Sequence, residues 1–187
     1  MKLALAGTAA GTALQSLVNT VMLPDGQVME KFRFWQIGSI GGADWTDIKL
    51  ILPYFIAGFL LAVLLASPLN VLAMGDEAAV SLGVNVTLIR ALAALSGVLL
   101  CASATALAGP IGFIGLMIPH LVRVLLGANM KILLPFSAVG GACLLLLADV
   151  TGRIAGRPGE IESGIITALI GAPVFILIIR KGRIRAL

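Results

Sequence analysis

Apolar runs of membrane-span length recur from one end of this chain to the other, and each must satisfy its own backbone. They cover residues 3–23, 48–65, 87–108, 134–150 and 163–179, with a shorter run at 116–126. In hydrocarbon only a helix or a closed barrel pairs every N–H and C=O. The runs lack the period-two alternation of barrel strands. The expected fold is therefore all-α, a polytopic membrane helical bundle with six transmembrane helices. Composition agrees, since 59% of residues are hydrophobic, 12% are charged and the mean hydropathy is +1.09. A soluble domain of this length carries far more charge.

Residues 108–123 are apolar but broken by Gly109, Pro110, Gly112, Gly115 and Pro119. Broken backbone at membrane depth is tolerated only where protein or a water-filled path surrounds it. That favours a chain that moves something over one that merely anchors. Pro119 removes a helical hydrogen bond and is expected to bend its helix. His120 is the single histidine, with no Cys or acid near it in sequence. It reads as a hydrogen-bonded structural residue rather than a metal ligand or proton carrier.

The first run carries Gly7 and Gly11 in a Gly-x-x-x-Gly pair and Gln15 and Asn19 one turn apart. Small residues let helices approach closely, at a pore or subunit seam or in ordinary packing. The Gln15–Asn19 face is expected to avoid lipid. Met1-Lys2 ahead of this run imitates a signal peptide. The run is nevertheless of span length, and reads as a first membrane helix or as an internal helix of a chain lacking its front half.

Residues 24–47 form a long polar connection whose Phe32, Phe34 and Trp35 lie among charges. That pattern suits an interfacial helix or a plain surface loop. The second run, 48–65, has Pro53 in its first turns. Residues 67–85 contain no apolar run. There Gly75 precedes a short helix from Asp76 to Leu82, with Asp76 and Glu77 at its positive end and Gly83 as its stop. A helix this short needs a surface to pack on, in the membrane domain or in a partner.

Asp149 and Arg153 stand four residues apart and so share a helix face, as a local ion pair or, with Arg157, as a docking charge. Residues 127–133 read as a tight link, and Gly171-Ala172-Pro173 interrupts the last run. Arg180, Lys181, Arg183 and Arg185 close the chain and belong on the cytoplasmic side. Six crossings counted back from that tail place most of the basic residues inside. Cys101 and Cys143 sit in mid-run and read as small apolar residues.

At residues 69–83 and 108–123 the chain resembles the FecCD/BtuC-like permeases of bacterial ABC importers for iron-siderophores, haem and cobalamin. The block Gly-Pro-Ile-Gly-Phe-Ile-Gly-Leu-Met-Ile-Pro-His is specific, and Leu133-Leu134-Pro135, Leu147-Ala148-Asp149 and residues 167–175 agree with it. The resemblance spans residues 1–187 as one transmembrane domain. It implies that these are the last six of ten helices, the first four being absent.

The resemblance further implies a second permease subunit, two cytoplasmic ATPase subunits and an extracytoplasmic substrate-binding protein, in the bacterial cytoplasmic membrane. Gly75, Asp76, Glu77, Ala78, Ala79, Leu82 and Gly83 would then contact the ATPase. Arg153 and Arg157 would meet the binding protein, with Ile161-Glu162 replacing the family's Leu-Pro and retuning that contact. Gly7, Gly11, Gln15, Asn19, Trp35, Gly109, Pro110, Gly112, Pro119 and His120 would line or gate the path. The run around Trp35 looks most like ferric-siderophore permeases, with haem and cobalamin as alternatives.

No Gly-x-x-x-x-Gly-Lys-Ser/Thr loop occurs, so ATP is expected on a partner, with no cofactor here and no enzymatic activity of the chain's own. An ion-coupled secondary transporter is the rival class. It needs ionisable residues deep in the helices, where only His120 and Asp149 come close. An intramembrane enzyme needs a nucleophile with its base, or a metal set, and neither a His-Glu-x-x-His nor a Gly-x-Ser-x-Gly motif occurs.

Overall fold

In a computed structural model, residues 2–24, 26–157, 159 and 161–184 are described. Asp25, Pro158, Glu160 and Arg185, placed by sequence in turns and in the basic tail, lie outside them. The helices are α1 (Lys2–Met22), α2 (Gly26–Ile37), α3 (Trp45–Leu72), α4 (Asp76–Ser81), α5 (Val86–Ala108), α6 (Ile114–Leu126), α7 (Met130–Ala155) and α8 (Ser163–Ile184). They form two compact units, Met1–Gln36 and Ile37–Leu187.

Among the described residues three helices, α3, α5 and α7, are long and apolar enough to cross a membrane. α6 and the stretch Ser163–Ile176 of α8 are shorter apolar helices. The expected six spans thus correspond to helices at the expected places, of which three meet span length and apolarity.

In the first unit, α1 and α2 frame an open groove of about 450 Å³ lined by Val18, Met22, Val28, Phe32 and Trp35, with Lys31 beside them. Phe32 and Trp35 stack at 5.6 Å between ring centroids. The aromatic cluster expected at headgroup level is therefore helical.

In the second unit α3 packs along α5, α6 along α7, and α8 on both α6 and α7. Small residues set these distances. A Cβ on Gly58 would stand 3.0 Å from Leu99 Cβ, and Ser96 Oγ donates to the Gly58 carbonyl at 2.8 Å. Such close approach supplies helix association where lipid competes for apolar surface. Met117, Ile118, Val122 and Leu133 form the buried core between α6 and α7, with Val174 of α8 packed on it.

Several boundaries differ from the sequence reading. α3 starts at Trp45, where the Asp44 carboxylate accepts the Trp45 N–H, so Pro53 lies inside the helix rather than in its first turns. α3 also continues through Pro68 to Leu72, and α8 continues through Pro173. Proline keeps a helical φ, and each site forgoes one backbone bond that packing offsets. α7 starts at Met130 rather than Leu134, because the Asn129 side chain caps it by accepting the Lys131 N–H. α6 likewise runs as one helix through Pro119.

Candidate functional site

The two ends of the larger unit carry different chemistry. At one end α3 turns into α4. Ala73, Met74 and Gly75 donate to the carbonyls of Leu69, Val71 and Leu72 at 3.0, 3.0 and 3.1 Å, so α4 starts directly off the last turn of α3.

Gly75 caps α4 with φ 112 and ψ 156, backbone that essentially only glycine adopts. At the far end of α4, Gly83 (φ 78) donates to Val80 and Val84 donates to Ala79, both at 2.9 Å. That is a Schellman closure, and it uses Gly83 as the sequence suggested.

Ala79 has no solvent exposure and seats α4 on its neighbours α3 and α5. Ala79 is thus the residue that holds α4 in place, while Asp76, Glu77 and Leu82 stay exposed and Ala78 is half-buried. Met74 and Val80, which sequence reasoning passed over, are exposed beside them at 70% and 63%. Asp76 Oδ1 also pairs with Arg90 at the start of α5 at 2.8 Å. Both side chains are more than half exposed, so solvent screens the pair and it contributes at most about 1 kcal/mol.

At the opposite end the loop after α2 is tied down. Ser39 N–H donates to the Ala108 carbonyl and Gly164 N–H to that of Gly38, each at 2.9 Å. Arg153 Nε donates to Asp149 Oδ2 at 2.9 Å, confirming that the two residues share a face. The Arg153 guanidinium also lies over Gly41, within 3.2 Å of where a Cβ would stand. Arg157 is exposed one turn further on. α7 carries Arg153 in its last turn, so this cation is favoured by the helix dipole. α8 starts at this end and runs back along α6 and α7, so Arg180, Lys181 and Arg183 lie towards the α4 end.

The broken stretch connects these ends. Gly109 (φ 70) is buried, and Phe113 (φ 65) caps α6. Phe113 Cβ presses on Gly171, where an added Cβ would be 2.6 Å away. Gly171 lies eight residues into α8, about 12 Å along its axis. Residues 109–113 therefore descend beside α8 before α6 begins, and α6 itself rises about 20 Å. Protein encloses the broken backbone at Gly109, whereas Pro110 and Gly112 are exposed.

Pro119 and His120 are half-buried on α6, and no hydrogen bond to the His120 ring occurs among the described residues. Gly7 and Gly11 lie exposed on α1, where Gln15 Nε2 donates to Asn19 Oδ1 at 3.2 Å. Trp35 is on α2. The residues expected to line a path are thus carried by both units.

The larger unit is thus a bundle of apolar helices with a capped surface helix at one end and an arginine-bearing rim at the other. The chain belongs to the FecCD transport family, whose model matches residues 1–181. It is 42% identical over 98% of its length to the Fe(3+)-citrate import system permease protein YfmD of Bacillus subtilis, covering 55% of that protein. It is 40% identical to the ferric enterobactin transport system permease protein FepD of Escherichia coli, over 97% of this chain and 54% of the relative. An inward-facing ABC transporter assigned to the metal-chelate type superposes with a TM-score of 0.82 at 33% identity, over 95% of this chain and 58% of the other. The chain spans about half the length of the curated relatives it matches.

Proposed function

We propose that this chain is permease sequence of a bacterial ABC importer that carries ferric-siderophore or a related metal chelate across the cytoplasmic membrane. A separate ATPase drives it and an extracytoplasmic binding protein supplies cargo. The observation that carries this reading is α4, a six-residue helix held at Gly75, Ala79 and Gly83 with Met74, Val80 and Leu82 left exposed at the end opposite Arg153. An apolar, acid-fronted knob of this kind fits a groove on a soluble partner better than it fits water. The α4 end and the basic end of α8 are cytoplasmic in this reading. Two permease subunits, alike or different, face each other around one path, two ATPase subunits sit on the cytoplasmic side, and neither ATP nor a cofactor resides in this chain.

The named cargoes of relatives, ferric citrate and ferric enterobactin, support an iron chelate. Haem is the second reading, because a hemin transport permease, HmuU of Yersinia pestis, is 39% identical over 97% of this chain. Direct binding of each chelate to the assembled transporter separates the two.

The Arg153 end receives the binding protein through its acidic groups. Arg153→Glu reverses the charge on that rim and places it beside Asp149. Pull-down of the loaded binding protein by the assembled transporter is expected to weaken by about tenfold or more, the usual scale for a lost interfacial charge pair. Equal capture by the variant would remove Arg153 from the docking surface.

A further inference from the structure

Asn70 lies within the 69–83 stretch but is given no role above, and its side chain bridges two helices far apart in sequence. Its Oδ1 accepts the Met130 N–H at 2.7 Å, and its Nδ2 donates to Asn129 Oδ1 at 2.8 Å. Asn129 Oδ1 also accepts the Lys131 N–H at 3.0 Å. Two amides thus cap the start of α7 together, one of them supplied by α3. Asn70 and Met130 are both half-buried, so the bond between them is less screened than one at an open surface, whereas Asn129 is exposed.

Position gives this clamp its meaning. Asn70 lies on the last turn of α3, the turn that is hydrogen-bonded through Ala73, Met74 and Gly75 into α4. Displacing α4 therefore displaces Asn70, and Asn70 holds the first turn of α7. α7 is one 26-residue helix that ends with the Asp149–Arg153 pair at the opposite rim. A helix of that length is about 39 Å of stiff element. The ion pair from α4, Asp76 to Arg90, leads to the start of α5 and is open to solvent.

We propose that Asn70 is a positioning residue that carries displacement of α4 into α7, and so links the ATPase-facing end to the rim that meets the binding protein. This rests on the functional reading above. A packed mechanical tie that switches between discrete arrangements can be driven from either end. The loaded binding protein is therefore expected to change the rate of ATP hydrolysis through the same clamp.

The test is the assembled transporter in lipid nanodiscs, as wild type, Asn70→Ala and Asn70→Asp. The readouts are the fold stimulation of ATP hydrolysis by loaded binding protein and the spin-label distance between positions 80 and 136. Asn70→Ala is expected to lower the stimulation by about fivefold, with basal hydrolysis within about twofold of wild type, and to broaden the distance distribution. Asn70→Asp keeps the acceptor for the Met130 N–H and should recover part of both. Unchanged stimulation in Asn70→Ala, with or without broadening, overturns the proposal. An equal fall in basal and stimulated rates assigns Asn70 to stability alone and also overturns it. A wild-type transporter that shows no stimulation overturns the functional reading itself.

Discussion

Gly75→Val is expected to reduce chelate uptake by about tenfold or more while the long helices stay folded. Gly75 has φ 112 and ψ 156, and nothing lies within 4 Å of where its Cβ would point. The obstacle to a side chain is therefore backbone conformation, not space. A residue forced into such a conformation stores about 1–3 kcal/mol. α4 has only six residues and few internal bonds to resist that strain, so its first turn is expected to unwind. Uptake into vesicles should fall, and the ATP hydrolysed per chelate moved should rise. Normal uptake by Gly75→Val would mean that the shape of α4 is immaterial to transport.

Gly164→Val should have the largest effect on stability. A Cβ there would run into the Ile37 carbonyl oxygen and stand 2.8 Å from that of Gly38. Both are backbone atoms, which cannot step aside as a flexible side chain does. The change also strains the Gly164 N–H bond to Gly38, one of the ties between α8 and the loop after α2. Overpacking at a rigid contact costs about 3 kcal/mol. A fall of several degrees in the thermal midpoint of the purified protein is expected, and a midpoint unchanged within about a degree would show that the junction is slack.

Much of the fold could be read from residues alone, because apolar runs and their Gly and Pro punctuation place helices. The short helix after Gly75 and the stop at Gly83 were legible for the same reason, since both sites demand a backbone that other residues avoid. The prolines misled where packing overrides them. Pro68 and Pro173 look like helix ends, but each sits in a helix whose neighbours stabilise it. Side-chain pairings between distant segments left no periodic trace. Asn70 meets Asn129 only because α3 and α7 are brought together, and Asp76 meets Arg90 only because α4 folds back on α5.

Of the candidate site, the local geometry of α4 and of the Asp149–Arg153 pair was legible, because residue spacing decides it. The expected path residues lie far apart in sequence, on elements whose mutual placement no local pattern encodes.

The claim on which the rest depends is that α4 receives the push of a nucleotide-hydrolysing partner. A photo-reactive residue at Val80, exposed on α4, and another at Ile154, exposed near Arg153, test it directly in the assembled transporter. Adducts with the ATPase subunit are expected from position 80 and none from position 154. ATPase adducts from position 154 alone would contradict the account.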